Sequence, residues 1–365
     1  MARNKYVLTA DAVNDLSTMG FPSITNIKKI ALMNNKPVDF QFDTSMNSDP
    51  LISSGKVFYN WIVYGAPGTG KSFTLNKALN EKNIDTSERV TFFPEYSHAM
   101  FFGNYKPFDD GQKLTYTFVP GPFLRVWVNA LQNQDKFHVL IIEELNRANA
   151  AAVFGDLLQV LDRDENGVSK YAISLSDDVK RFLARPDVLG GEYTDFEELR
   201  LPNNMLIWCT MNNADQGVYP LDTAFKRRWH YTYKKINYGR TKYLFKHSAH
   251  PDKLDWTKIR KAINDALAIE CHVNEDKLLG DYFLDAQTIA TKSSEIIDQA
   301  RFLTEFKEKV LMYLFEDAGK RCREDLFNGC TNYNSFSSVI ETFEKKGLAV
   351  FGSKAQNSIF FRYYK

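Results

Sequence analysis

The sequence has almost no net charge and no long apolar run. Its 46 lysine and arginine residues are matched by 45 aspartate and glutamate residues, which excludes a globally basic coat for nucleic acid. No stretch approaches the roughly 18 consecutive apolar residues that a membrane-spanning helix needs. The N-terminal residues also lack the apolar core of a secretory signal peptide. We therefore expect a cytoplasmic protein that does not associate with a membrane.

Cysteine is scarce, and no two cysteines form a Cys-x-x-Cys pair. Structural zinc sites normally use three or four ligands at short spacings, which this sequence does not offer. The spacing therefore predicts neither a zinc site nor a disulfide framework. The four cysteines are Cys209, Cys271, Cys322 and Cys330.

The chain does contain ample material for buried cores, because 44% of its 365 residues are hydrophobic and 14% are aromatic. This length is typical of two or three compact units. Apolar runs of strand type alternate with helical patterns, which favours an α/β fold with a central parallel five-stranded sheet. The five runs are Trp61–Tyr64, Val90–Phe93, Val139–Ile142, Met205–Thr210 and Trp229–Tyr233.

Three regions follow from these patterns. Residues 1–56 form an N-terminal arm or cap with a weak helix at Asp11–Met19, residues 57–235 an α/β domain, and residues 236–365 a helical domain. Apolar stripes at helical spacing predict helices over residues 150–161, 259–267 and 303–314, and an aromatic tail follows at Ile359–Tyr364. Two interpretations of the stretch 164–202 remain open. It is a hairpin-bearing loop that faces a partner or the centre of an assembly, or it is a surface loop without such a role.

An eight-residue loop after the first predicted strand matches the phosphate-binding pattern G-x-x-x-x-G-K-[S/T]. Its glycines let successive backbone N–H groups face phosphate oxygens, and the helix that follows adds its positive N-terminal end. Lys71 is expected to reach the β- and γ-phosphates, and Ser72 to offer a hydroxyl to Mg²⁺. The predicted nucleotide-binding residues here are Gly65, Ala66, Pro67, Gly68, Thr69, Gly70, Lys71, Ser72 and Phe73.

Two carboxylates, Glu143 and Glu144, end the third predicted strand. Parallel strands present their C-terminal ends to one crevice, so we expect this pair opposite the phosphate loop. Glu143 would hold Mg²⁺, and Glu144 would orient and polarise the attacking water. Taken alone, the pair could also be a charged strand end at the solvent edge.

The fourth predicted strand ends in amides, and Asn212 could hydrogen-bond the attacking water or a γ-phosphate oxygen. Further along the chain, Lys226, Arg227 and Arg228 precede the fifth strand. In a ring, one of these guanidinium groups could enter the neighbour's site as an arginine finger. The alternative is a solvated helix end whose charges face its own dipole.

These four motifs, in this order, resemble the AAA+ ATPases, and in finer detail McrB, the NTPase subunit of modification-dependent restriction systems. The stretches similar to the family's IIDEINRAN, TMNTAD and LDTALRRRF are Ile141–Asn149, Thr210–Asp215 and Leu221–Trp229. Those similar to its upstream HPSYS, F-x-x-GY-x-P and VPGxF are Phe93–Ser97, Phe102–Pro107 and Val119–Phe123.

The resemblance implies an AAA+ P-loop domain followed by a small helical lid, assembled in a homo-oligomeric ring that is expected to be a hexamer. It also implies hydrolysis of GTP or ATP with Mg²⁺ and an McrC-type nuclease subunit as partner, with DNA bound through the complex. Asp215, at the end of the TMNTAD-like stretch, joins the expected nucleotide-binding residues. No nuclease constellation is found in this chain itself.

The sequence departs from the family pattern at three positions. Glu143 replaces an aspartate, Asn213 a threonine, and Gln216 an arginine that would face the next subunit. The residues before the α/β domain are too few for the modified-base-recognition domain of full-length McrB, so we expect another subunit to read the target.

Two other functions remain open at this point. A protein-remodelling ATPase of the MoxR type would use the same chemistry on a protein client and would not respond to DNA. A nucleotide-gated assembly module would bind without appreciable hydrolysis, which Glu143 and Gln216 would favour. The nucleotide base, the DNA recognised, the partner's identity and the choice between Arg227 and Arg228 also stay open.

Overall fold

A computed structural model of the chain describes residues 58–84, 86–109, 111, 113–189, 196–212, 217–239 and 241–351. These residues belong to two compact units, one with residues 102–138 and 156–205, the other with residues 59–101, 139–155 and 206–351. The domain boundaries predicted after residues 56 and 235 remain a prediction. The predicted N-terminal cap, Asp215 and the aromatic tail lie outside the described residues.

Short strands are numerous in the described ranges. In chain order they are β1 (Asn60–Tyr64), β2 (Thr86–Thr91), β3 (Gly103–Asp109), β4 (Leu114–Pro120), β5 (His138–Glu143), β6 (Ile173–Ser174), β7 (Glu198–Leu199), β8 (Met205–Met211), β9 (His230–Tyr233), β10 (Leu244–Phe245), β11 (Leu254–Asp255), β12 (Thr291–Lys292) and β13 (Glu295–Ile296).

The α-helices, in chain order, are α1 (Lys71–Glu81), α2 (His98–Phe101), α3 (Pro122–Gln132), α4 (Ala150–Phe154), α5 (Asp177–Leu183), α6 (Thr223–Lys226), α7 (Trp256–Ile269), α8 (Gln299–Glu305), α9 (Arg323–Leu326) and α10 (Phe336–Lys346). Segments of 3₁₀ helix are Leu145–Arg147, Gly155–Leu161, Glu275–Lys277 and Gly347–Phe351, and segments of π-helix are Phe306–Leu311 and Leu314–Ala318.

Five strands form the central sheet in the order β2-β5-β8-β1-β9. β1 pairs in parallel with both β8 and β9, so that Trp61 lies opposite Trp208 on one side and His230 on the other. β5 and β8 are buried along almost their whole length, as expected for strands covered on both faces. The predicted α/β fold with a parallel five-stranded sheet is confirmed, and the five strands overlap the five predicted runs. The C-terminal ends of β1, β5 and β8 therefore lie along one edge of the sheet.

The apolar stripe over residues 150–161 is helical, as predicted, but the helix changes type within it. α4 ends at Phe154, and a 3₁₀ segment continues from Gly155 to Leu161. Gly155 has φ +56, and a Cβ there would lie 3.4 Å from Nδ1 of His98. The change of helix type thus follows from a left-handed residue that the stripe pattern does not reveal.

The C-terminal region is helical, as predicted, and has its own core. The second predicted stripe lies on α7, and the third runs from α8 into the π-helical segments. Trp256, Phe302, Phe306 and Phe343 are at most 1% exposed, and the rings of Phe306 and Phe343 stack with centroids 4.9 Å apart. This packing agrees with a helical lid that follows the α/β domain.

The structure pairs Cys271 with Cys322 in a disulfide, with Cα atoms 5.6 Å apart. The expectation that the cysteines form no disulfide is therefore wrong for this pair. The two residues are 51 positions apart in the sequence, and only the packing of the helical region brings the end of α7 beside the start of α9. Cys209 and Cys330 are buried free thiols.

The unit with residues 102–138 and 156–205 contains an antiparallel hairpin, β3 with β4, and the pair β6 with β7. The predicted hairpin of the 164–202 stretch is thus a two-stranded pair whose strands are separated by α5. The ring of Phe118 on β4 contacts Phe182 on α5, with centroids 5.3 Å apart. Whether this stretch faces a partner remains a prediction. In neither unit do the described residues include a helix of the length and apolarity needed to cross a bilayer.

Candidate functional site

The phosphate-binding loop connects β1 to α1 and has the conformation that its glycines allow. Gly68 and Gly70 have φ values of +75 and +81, which residues with a Cβ rarely adopt. The hydroxyl of Thr69 donates to the carbonyl of Ala66 at 2.8 Å, and this bond crosses the inside of the turn. Glycines with positive φ allow turns in which successive backbone N–H groups can face an anion.

Lys71 begins α1 and folds back over the loop. Its ammonium group donates to the carbonyls of Gly65 and Ala66 at 3.0 and 2.9 Å, and the residue is only 8% exposed. An ammonium group placed here can also donate charge-assisted hydrogen bonds to phosphate oxygens. Its place beside the loop's N–H groups and the N-terminus of α1 suits the negative charge of phosphate.

The predicted metal residues meet at the end of β5. Ser72 Oγ donates to Glu143 Oε2 at 3.0 Å, and Thr210 Oγ1 donates to the same oxygen. Arg89, on β2, forms an ion pair with Glu143 Oε1 and also donates to Asn76 Oδ1. A hydroxyl and a carboxylate are hard oxygen ligands, so Ser72 and Glu143 fit Mg²⁺.

Arg89 was not found by sequence reasoning. It is the only basic residue of β2, the edge strand beside β5, and its contact with Glu143 depends on a sheet order that the sequence does not state. A basic residue in a strand next to an acidic strand end is the signal that would have suggested it. The Arg89 guanidinium contacts one carboxylate oxygen of Glu143, and the hydroxyls of Ser72 and Thr210 donate to the other.

Glu144 directly follows Glu143 in the sequence and has φ +55. This left-handed conformation costs a residue with a side chain on the order of 1–3 kcal/mol. Its backbone N–H lies 3.4 Å from Thr210 Oγ1, and Arg147 Nε lies 3.8 Å from its carboxylate. Asn212 Nδ2 donates to both carboxylate oxygens, at 3.1 and 3.2 Å. These contacts fix the carboxylate at the edge of the sheet where β5 and β8 end.

Asn212 therefore lies beside Glu144, where β5 and β8 end. Its Oδ1 atom is buried and has no hydrogen-bond partner among the described residues. An amide oxygen is an acceptor, so it suits a water molecule better than a phosphate oxygen, which has no proton to donate. Asn146 Nδ2 holds the backbone carbonyl of Asn212 at 2.7 Å, and sequence reasoning did not assign Asn146 to the site.

Arg227 and Arg228 lie where α6 ends. Asp222 caps the helix by accepting from Phe225 N at 2.6 Å, which fixes the turn that carries the two arginines. Arg228 NH1 donates to the carbonyl of Ala224 at 2.5 Å, and Asn60 Nδ2 donates to the carbonyl of Arg228 at 3.0 Å. Arg227 is exposed. Their assignment to a neighbouring copy's site remains a prediction.

Two other ionisable groups near this edge are held neutral. Burial, and then the charge of Glu143, raises the pKa of the Cys209 thiol well above its usual range. Burial also raises the pKa of Tyr231 to about 12. Neither group carries a negative charge at neutral pH, so they do not compete with Glu143 and Glu144 for a cation.

Known proteins resemble this chain over most of its length. The family model of the AAA domain (dynein-related subfamily) matches residues 60–229. The type II restriction enzyme BsuMI component YdiS of Bacillus subtilis (strain 168) is 40% identical over 315 residues, which cover 78% of this chain and 85% of YdiS.

The type IV methyl-directed restriction enzyme EcoKMcrB subunit of Escherichia coli (strain K12) is 28% identical over 176 residues, 47% of this chain and 34% of that subunit. A solved structure from Cytophaga hutchinsonii ATCC 33406 is 15% identical over 80% of this chain and 71% of that one, and its TM-score of 0.30 supports no argument. On the family match and its identity to YdiS and McrB, the chain belongs to the McrB-type AAA+ ATPases.

Proposed function

We propose that this chain is the motor subunit of an McrBC-like restriction system. It hydrolyses GTP or ATP with Mg²⁺ at sites between the subunits of a ring, expected to be a hexamer, and uses the cycle to drive a partner nuclease on DNA. The observation that carries this proposal is that one compact unit brings Lys71, the Ser72–Glu143 pair and the Glu144–Asn212 pair to the same edge of the sheet.

Each of these groups has a distinct task. Lys71 and the loop N–H groups bind the phosphates, and Ser72 and Glu143 hold Mg²⁺, which when bound neutralises charge on the phosphate oxygens. Glu144 accepts a proton from water as the water oxygen bonds to the γ-phosphorus and the bond to the bridging oxygen breaks. Asn212 Oδ1 accepts the other water proton in a hydrogen bond and so orients the water.

The assignment to a restriction system comes from the relatives. YdiS and McrB are both named as parts of restriction enzymes, and no nuclease arrangement is found in this sequence. We therefore expect an McrC-type nuclease subunit as partner. The near balance of basic and acidic residues favours DNA binding through the complex rather than by this chain alone.

The test is steady-state phosphate release by the purified chain with GTP and with ATP, each with and without double-stranded DNA and a co-purified partner. We expect hydrolysis of at least one nucleotide that rises when partner and DNA are both present. Light scattering with a slowly hydrolysed analogue of each nucleotide should show assembly of a ring.

Other outcomes would favour the alternatives. Hydrolysis that responds to a protein client but not to DNA would support a remodelling ATPase of the MoxR type. Nucleotide-dependent assembly with no phosphate release would support an assembly module without appreciable hydrolysis, and would contradict the motor role.

Replacing Lys71 with alanine should weaken nucleotide binding about 10- to 100-fold, because hydrogen bonds between charged groups contribute about 1.5–3 kcal/mol. Equilibrium titration with a fluorescent analogue of GTP or ATP measures the effect. Lys77→Ala is the matched control, since Lys77 is on the same helix but is exposed and pairs with Glu81. Equal affinities of the two variants would show that Lys71 does not bind phosphate.

A further inference from the structure

The helical region holds the one disulfide found among the described residues, between Cys271 and Cys322. Cys271 lies two residues beyond the end of α7, and Cys322 directly precedes α9. Both are half-buried, so a reductant in solution can reach the pair. Cys209 and Cys330 are buried instead, and burial raises the pKa of both thiols, which keeps them protonated and unreactive. The disulfide is therefore the part of the cysteine set that is open to redox chemistry.

The disulfide fixes the segment that leads from α7 to a loop beside the phosphate-binding loop. The segment comprises residues 270–278, and the loop that follows, residues 279–283, is named here the lid loop. A second contact holds the far end of the segment, because the hydroxyl of Tyr313 donates to the carbonyl of Lys277 at 2.9 Å. The segment is thus attached near both of its ends to the helices that follow it in the chain.

The backbone of this segment is strained at His272, the residue next to Cys271. His272 has φ +51, a left-handed conformation that residues with a Cβ rarely adopt. The cross-link at the preceding residue restricts the conformations to which this backbone could relax. Opening the disulfide would therefore free the segment at the point where it is strained.

The lid loop is joined to the phosphate-binding loop through the main chain. Gly280 N–H donates to the carbonyl of Pro67 at 3.0 Å, and Tyr282 N–H donates to the carbonyl of Gly68 at 2.7 Å. The approach is close, since a Cβ on Gly280 would lie 2.4 Å from the carbonyl oxygen of Pro67. A displacement of the lid loop would therefore release the backbone of residues that are predicted to surround the phosphates.

Buried polar side chains of α7 make the helix and the lid loop one connected unit. Arg260, 4% exposed, donates to the carbonyl of Leu279 at 3.1 Å and to Asp281 Oδ1 at 2.8 Å. Asn264, 1% exposed, donates to the same carbonyl at 2.9 Å and accepts from Leu279 N at 2.8 Å. Because these bonds are buried, a change in the position of α7 near Cys271 is passed on to the lid loop.

We propose that Cys271 and Cys322 form a thiol–disulfide site that takes a dithiol as its reductant and sets the affinity of the phosphate-binding loop. The oxidised chain binds GTP or ATP more tightly than the reduced chain. This inference rests on the proposed function. With the disulfide open, the segment gains freedom, the lid loop leaves the phosphate-binding loop more often, and the loop is less well ordered for phosphate.

The chemistry is thiol–disulfide exchange. A thiolate of the dithiol attacks one sulfur of the pair, the bond between the two Sγ atoms breaks, and the released cysteine sulfur takes a proton. The second thiol of the reductant then displaces the other cysteine, which also takes a proton. Two cysteine thiols and one oxidised dithiol result, and half-exposed disulfides of this kind are the labile, regulatory ones.

The experiment measures equilibrium binding of fluorescent GTP and ATP analogues, with Mg²⁺, to the full chain treated with oxidised or reduced dithiothreitol. Thiol counting after denaturation should give two free thiols per oxidised chain and four per reduced chain. We expect reduction to weaken both nucleotides about fivefold or more, as is typical of coupling between two sites. Amide hydrogen exchange at Gly280 and Tyr282 should become faster on reduction, because their hydrogen bonds to the phosphate-binding loop open more often.

Two variants identify the cysteines responsible. Cys271→Ser combined with Cys322→Ser should bind nucleotide as weakly as the reduced chain and should not respond to the dithiol. Cys330→Ser is the matched control, because it removes another cysteine of the same region, and a serine there can keep the hydrogen bond to the carbonyl of Val350. It should respond to the dithiol as the unsubstituted chain does.

A redox titration tests the same coupling from the other side and needs no substitution, so it decides the matter even if the double serine variant does not fold. Coupling is reciprocal, so bound nucleotide must make the disulfide harder to reduce by the same factor. For a two-electron couple, a fivefold effect lowers the reduction midpoint by about 20 mV at saturating GTP or ATP.

The outcomes separate this inference from the proposed function. Equal nucleotide affinities of the oxidised and reduced chains would overturn the inference and leave the proposed function intact. Weaker binding with unchanged amide exchange at Gly280 and Tyr282 would contradict a route through the lid loop. If neither form bound GTP or ATP, the proposed function itself would be wrong.

Discussion

Glu144→Gln should reduce the turnover of GTP or ATP by at least about 100-fold while leaving nucleotide affinity within about twofold. A positioned general base contributes roughly 10²–10⁴-fold to rate, and glutamine cannot accept the proton of the attacking water. The substitution changes neither the length nor the shape of the side chain, so the contact with Asn212 keeps one acceptor oxygen. Phosphate release and equilibrium nucleotide binding, measured on the same preparation, give the two quantities.

Glu81→Gln is the control for this experiment, because Glu81 ends α1 and pairs with Lys77 at 3.2 Å. It should leave both turnover and affinity unchanged. If Glu144→Gln retained turnover within about twofold of the unsubstituted chain, Glu144 would not be the base. If it lost affinity as well as turnover, the carboxylate would have a role in binding rather than in proton transfer.

The centre of the site could be predicted from sequence because its parts are local. The residues from Gly65 to Ser72 form one continuous loop, and Glu143, Glu144 and Asn212 come directly at strand ends. Parallel pairing then brings the ends of β5 and β8 to one edge whichever loops connect them. A short motif with a rule for strand ends is therefore sufficient to predict that these candidate residues lie together.

The residues that support the site could not be predicted in this way, because they depend on the order of strands and the packing of helices. Arg89 reaches Glu143 only because β2 lies beside β5. Arg260 and Asn264 bind a loop that lies more than a dozen residues further along the chain. Such contacts leave no periodic pattern and no motif in the sequence.

Arg89 also bears on the unusual acid at position 143. A glutamate is one methylene longer than the aspartate common in the family, so its carboxylate has one more rotatable bond and could adopt more positions. Here Arg89, Ser72 and Thr210 together hold both carboxylate oxygens. The extra length is thus compensated by a fixed hydrogen-bond arrangement, which is a physical reason to expect hydrolysis rather than a site that only binds.

The second large effect is expected at Arg227. We propose that it completes the site of the neighbouring subunit, and that Arg227→Ala lowers turnover on the order of 10³-fold or more, as for arginine fingers that stabilise transition-state charge. Arg228→Ala should have a smaller effect on turnover, because the Arg228 guanidinium folds back onto the carbonyl of Ala224 while Arg227 is exposed. Single-turnover and steady-state phosphate release measure both variants.

Mixing two inactive variants tests whether the arginine acts on another subunit. In a ring, the intact Arg227 of a Glu144→Gln subunit can serve the intact Glu144 of an adjacent Arg227→Ala subunit. Random co-assembly at equal amounts leaves about one quarter of the interfaces with both groups, so turnover should return to roughly that fraction of the unsubstituted level. A mixture that co-assembles and binds nucleotide but stays inactive would contradict catalysis across an interface, and full activity of Arg227→Ala alone would exclude Arg227 as the finger.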